Sequence, residues 1–226
     1  VAEYFLSRKR QSQLRAKPGA DGRYLTMAAR AHWLLLRESL VSLHRAWEKL
    51  PSVTVVSDGS WQRAEFLEAF NFWPEEIKVL LPDDILNPLA DAGQNNLVSL
   101  ARQHPLGLKL ASVIFAARQG PVLFSDSDIL WFGDPQKILG QRRGRRGPAA
   151  TVESARSYNQ DLVRRHAAEL LSAPGINTGC VHLDGDLCPP EIFQDLLSTA
   201  LEQPRQNFNE QSIIAVAVQR HGERLP

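Results

Sequence analysis

Two carboxylates one residue apart, Asp126 and Asp128, flank Ser127 where the apolar run Pro121-Val-Leu-Phe-Ser125 ends. Acids beside a buried strand are costly unless something offsets their charge. Alternate side chains of an extended chain point the same way, so both carboxylates can face one hard cation. An oxygen-only donor set favours Mg²⁺ or Mn²⁺ over zinc. The competing reading is an acidic turn in which Asp126 caps nearby amides.

Other residue types repay the same question. Lys109 is the only charged residue between His104 and Arg118. An ammonium on so apolar a segment needs an anion, or must snorkel to water. Asn177, Thr178 and Gly179 open an apolar run, where amide and hydroxyl groups can hydrogen-bond a ligand and the glycine admits it close to the backbone; a kinked strand is the competing explanation. Glu210 and Gln211 follow Asn209, a candidate N-cap, so Glu210 either serves the helix dipole or acts as a general base. Ser57 and Asp58 end a β-branched run, with Asp58-Gly59 a natural turn. Arg30 and His32 follow the first apolar run.

These residues need elements to position them. Tyr24–Ala29, Val53–Val56, Ile77–Leu81, Pro121–Ser125, Ala149–Val152 and Ile176–Leu183 read as buried strands. Between them, His32–Lys49 repeats apolar residues at helical spacing, through Leu36, Leu40, Leu43 and Trp47. Ser60–Phe70, with Ser60 as N-cap, Pro105–Arg118, Glu191–Leu201 and Glu210–Gln219 also read as helices, and Pro82 reads as the residue that closes a strand. Strand and helix alternate, which predicts an α/β domain with a mostly parallel sheet flanked by helices. Ligands of such sheets sit at the carboxyl ends of the strands.

Composition sets the outer bounds. Lys and Arg number 26 against 25 Asp and Glu, a net charge of +1 in 226 residues. That balance argues against a nucleic-acid-coating protein. No window approaches the ~20 apolar residues of a membrane span. Two cysteines, Cys180 and Cys188, fit a reducing compartment or an incidental pair equally well, and with no signal-like apolar stretch in Val1–Arg10 the expectation is a cytoplasmic location. Residues 1–23 read as a basic polar arm. The arginines at 142, 143, 145 and 146 read as a mobile surface loop able to touch an anionic acceptor or a membrane periphery. His166 and His221 read as exposed, and His182 as a satisfied strand residue.

The run Val122-Leu-Phe-Ser-Asp-Ser-Asp-Ile-Leu-Trp-Phe-Gly-Asp-Pro135 resembles the Asp-x-Asp segment of GT-A glycosyltransferases, the nucleotide-diphospho-sugar transferases. Val53–Ser60, Pro105–Arg118, Gly175–Leu183 and Phe208–Ser212 resemble further segments of that family, in its order, over roughly residues 24–219. The resemblance implies a GT-A-like (Rossmann-like) catalytic domain over residues 24–226, truncated at its C-terminus relative to the family. It implies transfer of a sugar from a nucleotide-diphosphate donor, with uridine the commonest base, to an acceptor hydroxyl of a glycan, lipid or protein. Retention of configuration is the commoner outcome in that family.

Carried over residue by residue, the resemblance makes Asp126 and Asp128 ligands of Mn²⁺ or Mg²⁺. It places Asp126, Lys109, Ser57, Asp58, Arg30, Thr178 and Gly179 at the donor. Glu210, Gln211 and Asn177 become the catalytic candidates. This chain has Glu-Gln where the family shows Asp-Gln. The family's further metal ligand lies beyond this segment, which leaves only His221 and Glu223 as substitutes. Two rival readings are a sugar nucleotidyltransferase, opposed by the absence of glycine from Ala28-Ala-Arg-Ala-His32, and a non-catalytic nucleotide-sugar-binding module on a degenerate fold.

Overall fold

The computed structural model describes residues 14–17, 19–142 and 144–225. Most of the basic arm expected over 1–23 therefore lies outside the described residues, as does Arg143.

The strands are β1 (Gly19–Ala28), β2 (Leu50–Ser57), β3 (Lys78–Leu80), β4 (Val122–Asp126), β5 (Gly147–Glu153), β6 (Gly175–Asp184) and β7 (Glu223–Leu225). They form one sheet in the order β3-β2-β1-β4-β6-β5-β7. Parallel pairing joins β3, β2, β1 and β4, and also β5 and β7. β6 runs antiparallel to both of its neighbours, β4 and β5, a reversal that the strand–helix alternation did not signal. The reversal brings the first residues of β6 to the same rim as the last residues of β4 and β5.

Nine helices cover the sheet among the described residues: α1 (Trp33–Ala46), α2 (Arg63–Ala69), α3 (Pro82–Asp91), α4 (Asn95–Gln103), α5 (Pro105–Ala117), α6 (Gln136–Gln141), α7 (Gln160–His166), α8 (Pro190–Glu202) and α9 (Asn209–His221). Successive strand residues enter opposite cores, as the two-residue period of a strand requires. Tyr24, Val55 and Leu123 pack with α1 and α2 on one face. Leu25, Val56 and Phe124 pack with α3, α4, α5 and α9 on the other. Both faces are covered, which is why these strands read as continuous apolar runs.

Several local expectations change. Pro82 does not merely close a strand; it is the first residue of α3, where its missing N–H costs nothing. Asp84 Oδ2 accepts the Leu81 N–H at 2.7 Å and fixes that helix start. Ser60 is not an N-cap: its hydroxyl donates to Asp58 Oδ1 at 2.6 Å and accepts from the Arg30 N–H, and α2 starts only at Arg63. Asn209 is inside α9; the cap is Phe208, held in the left-handed region at φ 73°. The Asn209 amide instead donates to the carbonyls of Ala200 and Gln203, tying α9 to the end of α8. The arginine segment is not a uniformly solvated loop. Arg142 is buried, 3.1 Å from His182 Nδ1, while Arg145 pairs with Glu223 at 2.8 Å. His166 is not exposed either, since its ring reaches Thr199 Oγ1 at 3.0 Å. His182 is buried as expected.

Candidate active site

The sheet's carboxyl rim collects most of the residues that the sequence singled out. Asp126 is the last residue of β4, partly exposed and in register with Met27 of β1. β6 enters beside it antiparallel, with Ser125 opposite Cys180, so Asn177, Thr178 and Gly179 lie just past Asp126. Beneath this rim runs α5, started by Pro105 with His104 Nδ1 accepting the Leu106 N–H at 3.2 Å. Lys109 is one turn into α5 and only 4% exposed.

Lys109 is the centre of the cluster. Its Nζ lies 2.8 Å from Asp126 Oδ1 and 3.5 Å from Glu210 Oε1, and 5.0 Å above the ring of Phe124. Burial alone would lower the pKa of this lysine, but Glu210 and then Asp126 outweigh it and hold it above the ordinary value. Lys109 is therefore the ammonium ion throughout the physiological range. Glu210, 2% exposed in the first turn of α9, is pushed above the ordinary carboxyl range by burial, with Asp126 adding repulsion and Lys109 opposing it. Its Oε2 accepts the Thr178 hydroxyl at 3.3 Å, while Oε1 has no hydrogen-bond partner among the described residues.

A second set of bonds fixes the start of β6. Asn177 Oδ1 accepts the Gly179 N–H at 2.6 Å, and Asn177 Nδ2 donates to Glu153 Oε2 at 2.9 Å. Gln211 Nε2 donates to Glu153 Oε1 at 3.0 Å and to the Ile176 carbonyl at 3.3 Å. Glu153, the last residue of β5, thus clamps both polar candidates from β6 and α9. The sequence reading missed it. The available signal was an acid ending the strand Ala149–Val152 on the rim where ligands bind.

Gly179 has a steric reason. A Cβ there would stand 2.8 Å from Asn177 Oδ1 and 3.2 Å from Asp126 Oδ2. The bare backbone lets these two oxygens crowd the same point of the rim.

The structure separates the two aspartates. β4 ends at Asp126, and Ser127 and Asp128 form a turn closed by Ile129 N–H to the Asp126 carbonyl at 3.3 Å. Asp128 is exposed. The charge argument for a cation is corrected accordingly: Lys109 compensates Asp126, and water compensates Asp128. In donor chemistry the pair still fits a hard divalent ion, since Oδ2 of Asp126 is outside the Lys109 bond and the exposed Asp128 carboxylate has no hydrogen bond or ion pair among the described residues. Beyond those two, no cluster of three or more His, Cys, Asp or Glu side chains suited to a metal occurs among the described residues.

Glu223 is excluded as a supplement: it pairs with Arg145 and Arg142 and sits in register with Ala149, toward the opposite rim. His221, exposed at the last residue of α9, likewise lies beside β7 and not beside Asp126.

Ser57, Asp58 and Arg30 share the carboxyl rim but stand apart from the cluster, at the ends of β2 and β1. Ser57 Oγ accepts the Gly59 N–H, Asp58 Oδ1 accepts the Ser60 N–H, and the exposed Arg30 guanidinium pairs with Glu65 at 2.5 Å. Ser57 and Asp58 thus build the turn after β2, and Arg30 ties the end of β1 to α2.

Among solved structures, the chain is similar to the glycosyltransferase GlyE of Streptococcus pneumoniae TIGR4, with a TM-score of 0.53 and 15% identity over 93% of this chain and 45% of that one. It is similar to the bifunctional glycosyltransferase WbbM at a TM-score of 0.59, with 12% identity over 94% of this chain and 40% of that one. It is also similar to the galactosyltransferase LgtC, solved with donor and acceptor sugar analogues, at a TM-score of 0.50, with 12% identity over 86% of this chain and 69% of that one. The chain spans less than half the length of GlyE and WbbM. No protein-family model matches it, and no curated protein matches it by sequence. The fold is a mixed α/β domain, a seven-stranded sheet with helices, similar to GT-A glycosyltransferases. No helix among the described residues is long and apolar enough to cross a membrane.

Proposed function

We propose that this chain carries a glycosyltransferase site that takes a nucleotide-diphosphate sugar, with a UDP-sugar the first donor to test, and transfers the sugar to an acceptor hydroxyl. The observation that carries the reading is the convergence of Asp126, Lys109, Asn177, Thr178, Gly179, Glu210 and Gln211 on one rim of a fold shared with glycosyltransferases. Those residues were singled out from segments well apart in sequence, so the sheet topology did not have to unite them.

Asp128 and Oδ2 of Asp126 would hold Mn²⁺ or Mg²⁺, which when bound supplies charge neutralisation to a departing nucleoside diphosphate. Lys109 orients Asp126 through its Oδ1 and brings a fixed positive charge beneath the donor site. Burial at 2% exposure under Lys109 and Thr178 makes Glu210 a positioning residue that keeps Lys109 charged, not a base with access to an acceptor. Glu153 holds the Asn177 and Gln211 amides, and the Asn177 N–H and Gln211 carbonyl left over would meet sugar hydroxyls. Ser57, Asp58 and Arg30 stand where the nucleoside end of the donor would lie on the same rim. Retention of configuration follows from the resemblance and is read from the anomer of the product.

The test is donor hydrolysis over a panel of nucleotide sugars with Mn²⁺, scored by released nucleoside diphosphate. Turnover of one donor that vanishes in Asp128→Asn, with the thermal transition unmoved, supports the reading. Equal turnover in the variant overturns the metal site at Asp128; no turnover with any donor while UDP still binds overturns the reading in favour of a non-catalytic module.

A further inference from the structure

The opposite rim of the sheet has its own cavity. About 510 Å³ in volume, it lies among the first residues of β1 and β4, the last of β6, the end of α1 and helix α6. Val122 lines it, four residues before Asp126 on the same strand, so it lies roughly 13 Å from the glycosyltransferase cluster along β4.

The lining is rich in donors and poor in acceptors. Arg23, Lys49 and Arg142 bring three positive charges against Asp184 alone among the described lining side chains. Trp47 and Arg142 are 1% and 4% exposed, yet Trp47 Nε1–H and Arg142 Nε–H have no hydrogen-bond acceptor among the described residues. Buried N–H groups normally find partners, and leaving one unmade costs about 1–3 kcal/mol. Glu223 pairs with Arg142 at 3.5 Å from Nε, outside the cavity lining, and shares its other oxygen with Arg145. His182, bonded through Nδ1 to Arg142, adds no negative charge.

Three cations against one carboxylate around a cavity favour a ligand that is anionic and dense in acceptor oxygens. We propose that this cavity is a second binding site, separate from the rim that holds Asp126, and that its ligand is a small soluble phosphate ester recognised by Arg142, Trp47, Arg23 and Lys49. A concave site of this size admits more than the phosphate itself, and a phosphate matches the cationic side chains of Arg23, Lys49 and Arg142 that line it. The inference does not depend on the glycosyltransferase reading.

The experiment titrates inorganic phosphate into the ¹⁵N-labelled chain and follows the indole N–H resonances, with Trp47 assigned through Trp47→Phe. The Trp47 resonance is expected to shift to saturation while that of Trp61, on the other rim, stays still. Lys49 is exposed, so Lys49→Glu leaves the fold intact and is expected to weaken the apparent affinity about tenfold. Unsaturable drift of all indoles together, a stationary Trp47, or equal affinity in Lys49→Glu would each overturn the proposal.

Discussion

Lys109 Nζ stands 2.8 Å from Asp126 Oδ1 while remaining 4% exposed, so a buried ammonium holds the rim aspartate from beneath. Glu210 shares that ammonium from the other side at 3.5 Å. The consecutive elements α5 and β4 thus meet α9, far later in the sequence, at one charge.

Removing the ammonium should expose what it compensates. Lys109→Met leaves Glu210 buried without a cation, and breaking a buried pair costs about 3–5 kcal/mol. Glu210 already sits above the ordinary carboxyl range, so acid lets it take a proton and escape the penalty. Urea denaturation should therefore show a large loss of stability at pH 8 and a clearly smaller one at pH 5, and Glu210→Gln added to Lys109→Met should restore most of the loss. A pH-independent loss, or no rescue, would show that Lys109 matters through packing alone.

Much of this cluster was legible because its members break local rules. Lys109 was visible as a lone charge in an apolar helix, and the acids of Asp126-Ser-Asp128 as polar groups ending a buried strand. What the sequence hid depends on tertiary pairing. Glu153 looks like an ordinary strand-end acid until β6 runs antiparallel beside β5 and delivers Asn177. Arg142 looks like its neighbours in a run of arginines until His182 and Glu223 enclose it. Helix α3 escaped notice since Pro82 read as the close of a strand, although a first-turn proline is compatible with a helix and Asp84 supplies the start.

Gly179→Ala puts a methyl against Asn177 Oδ1 and Asp126 Oδ2, closer to the first than carbon normally approaches. The Asn177 amide must then release the Gly179 N–H. Overpacking of this kind costs about 1–3 kcal/mol. Calorimetric melting should register that loss, and the KM for donor should rise more than kcat falls. Unaltered melting and kinetics would mean that the rim is looser than these distances imply.

His182 makes stability sensitive to acid. Burial first, and Arg142 beside it, lower its pKa from 6.5 to about 4. The folded chain therefore resists a proton that the unfolded chain accepts, and stability falls as pH drops from about 6.5 toward 4. His166, lowered by burial, acts in the same direction. Denaturation midpoints should decline through this window, and His182→Gln should decline less steeply than the parent chain. Parallel slopes would remove His182 from the account.

The cysteines should be inert in the folded chain. Burial, with Asp126 adding repulsion, pushes the Cys180 thiol up to about 12, and burial raises Cys188 to about 11. A thiolate is the reactive form, so iodoacetamide at pH 8 should leave the native mass unchanged and add two groups once urea unfolds the chain. Rapid native labelling of Cys180 would contradict its placement beside Asp126.

The most direct measurement is calorimetric titration of the chain with UDP, with and without Mn²⁺. Saturable binding that requires the metal and disappears in Asp128→Asn, whose thermal transition matches that of the parent, is the expected result. Binding of equal strength in the variant, or indifferent to Mn²⁺, would contradict a donor site built on Asp126 and Asp128.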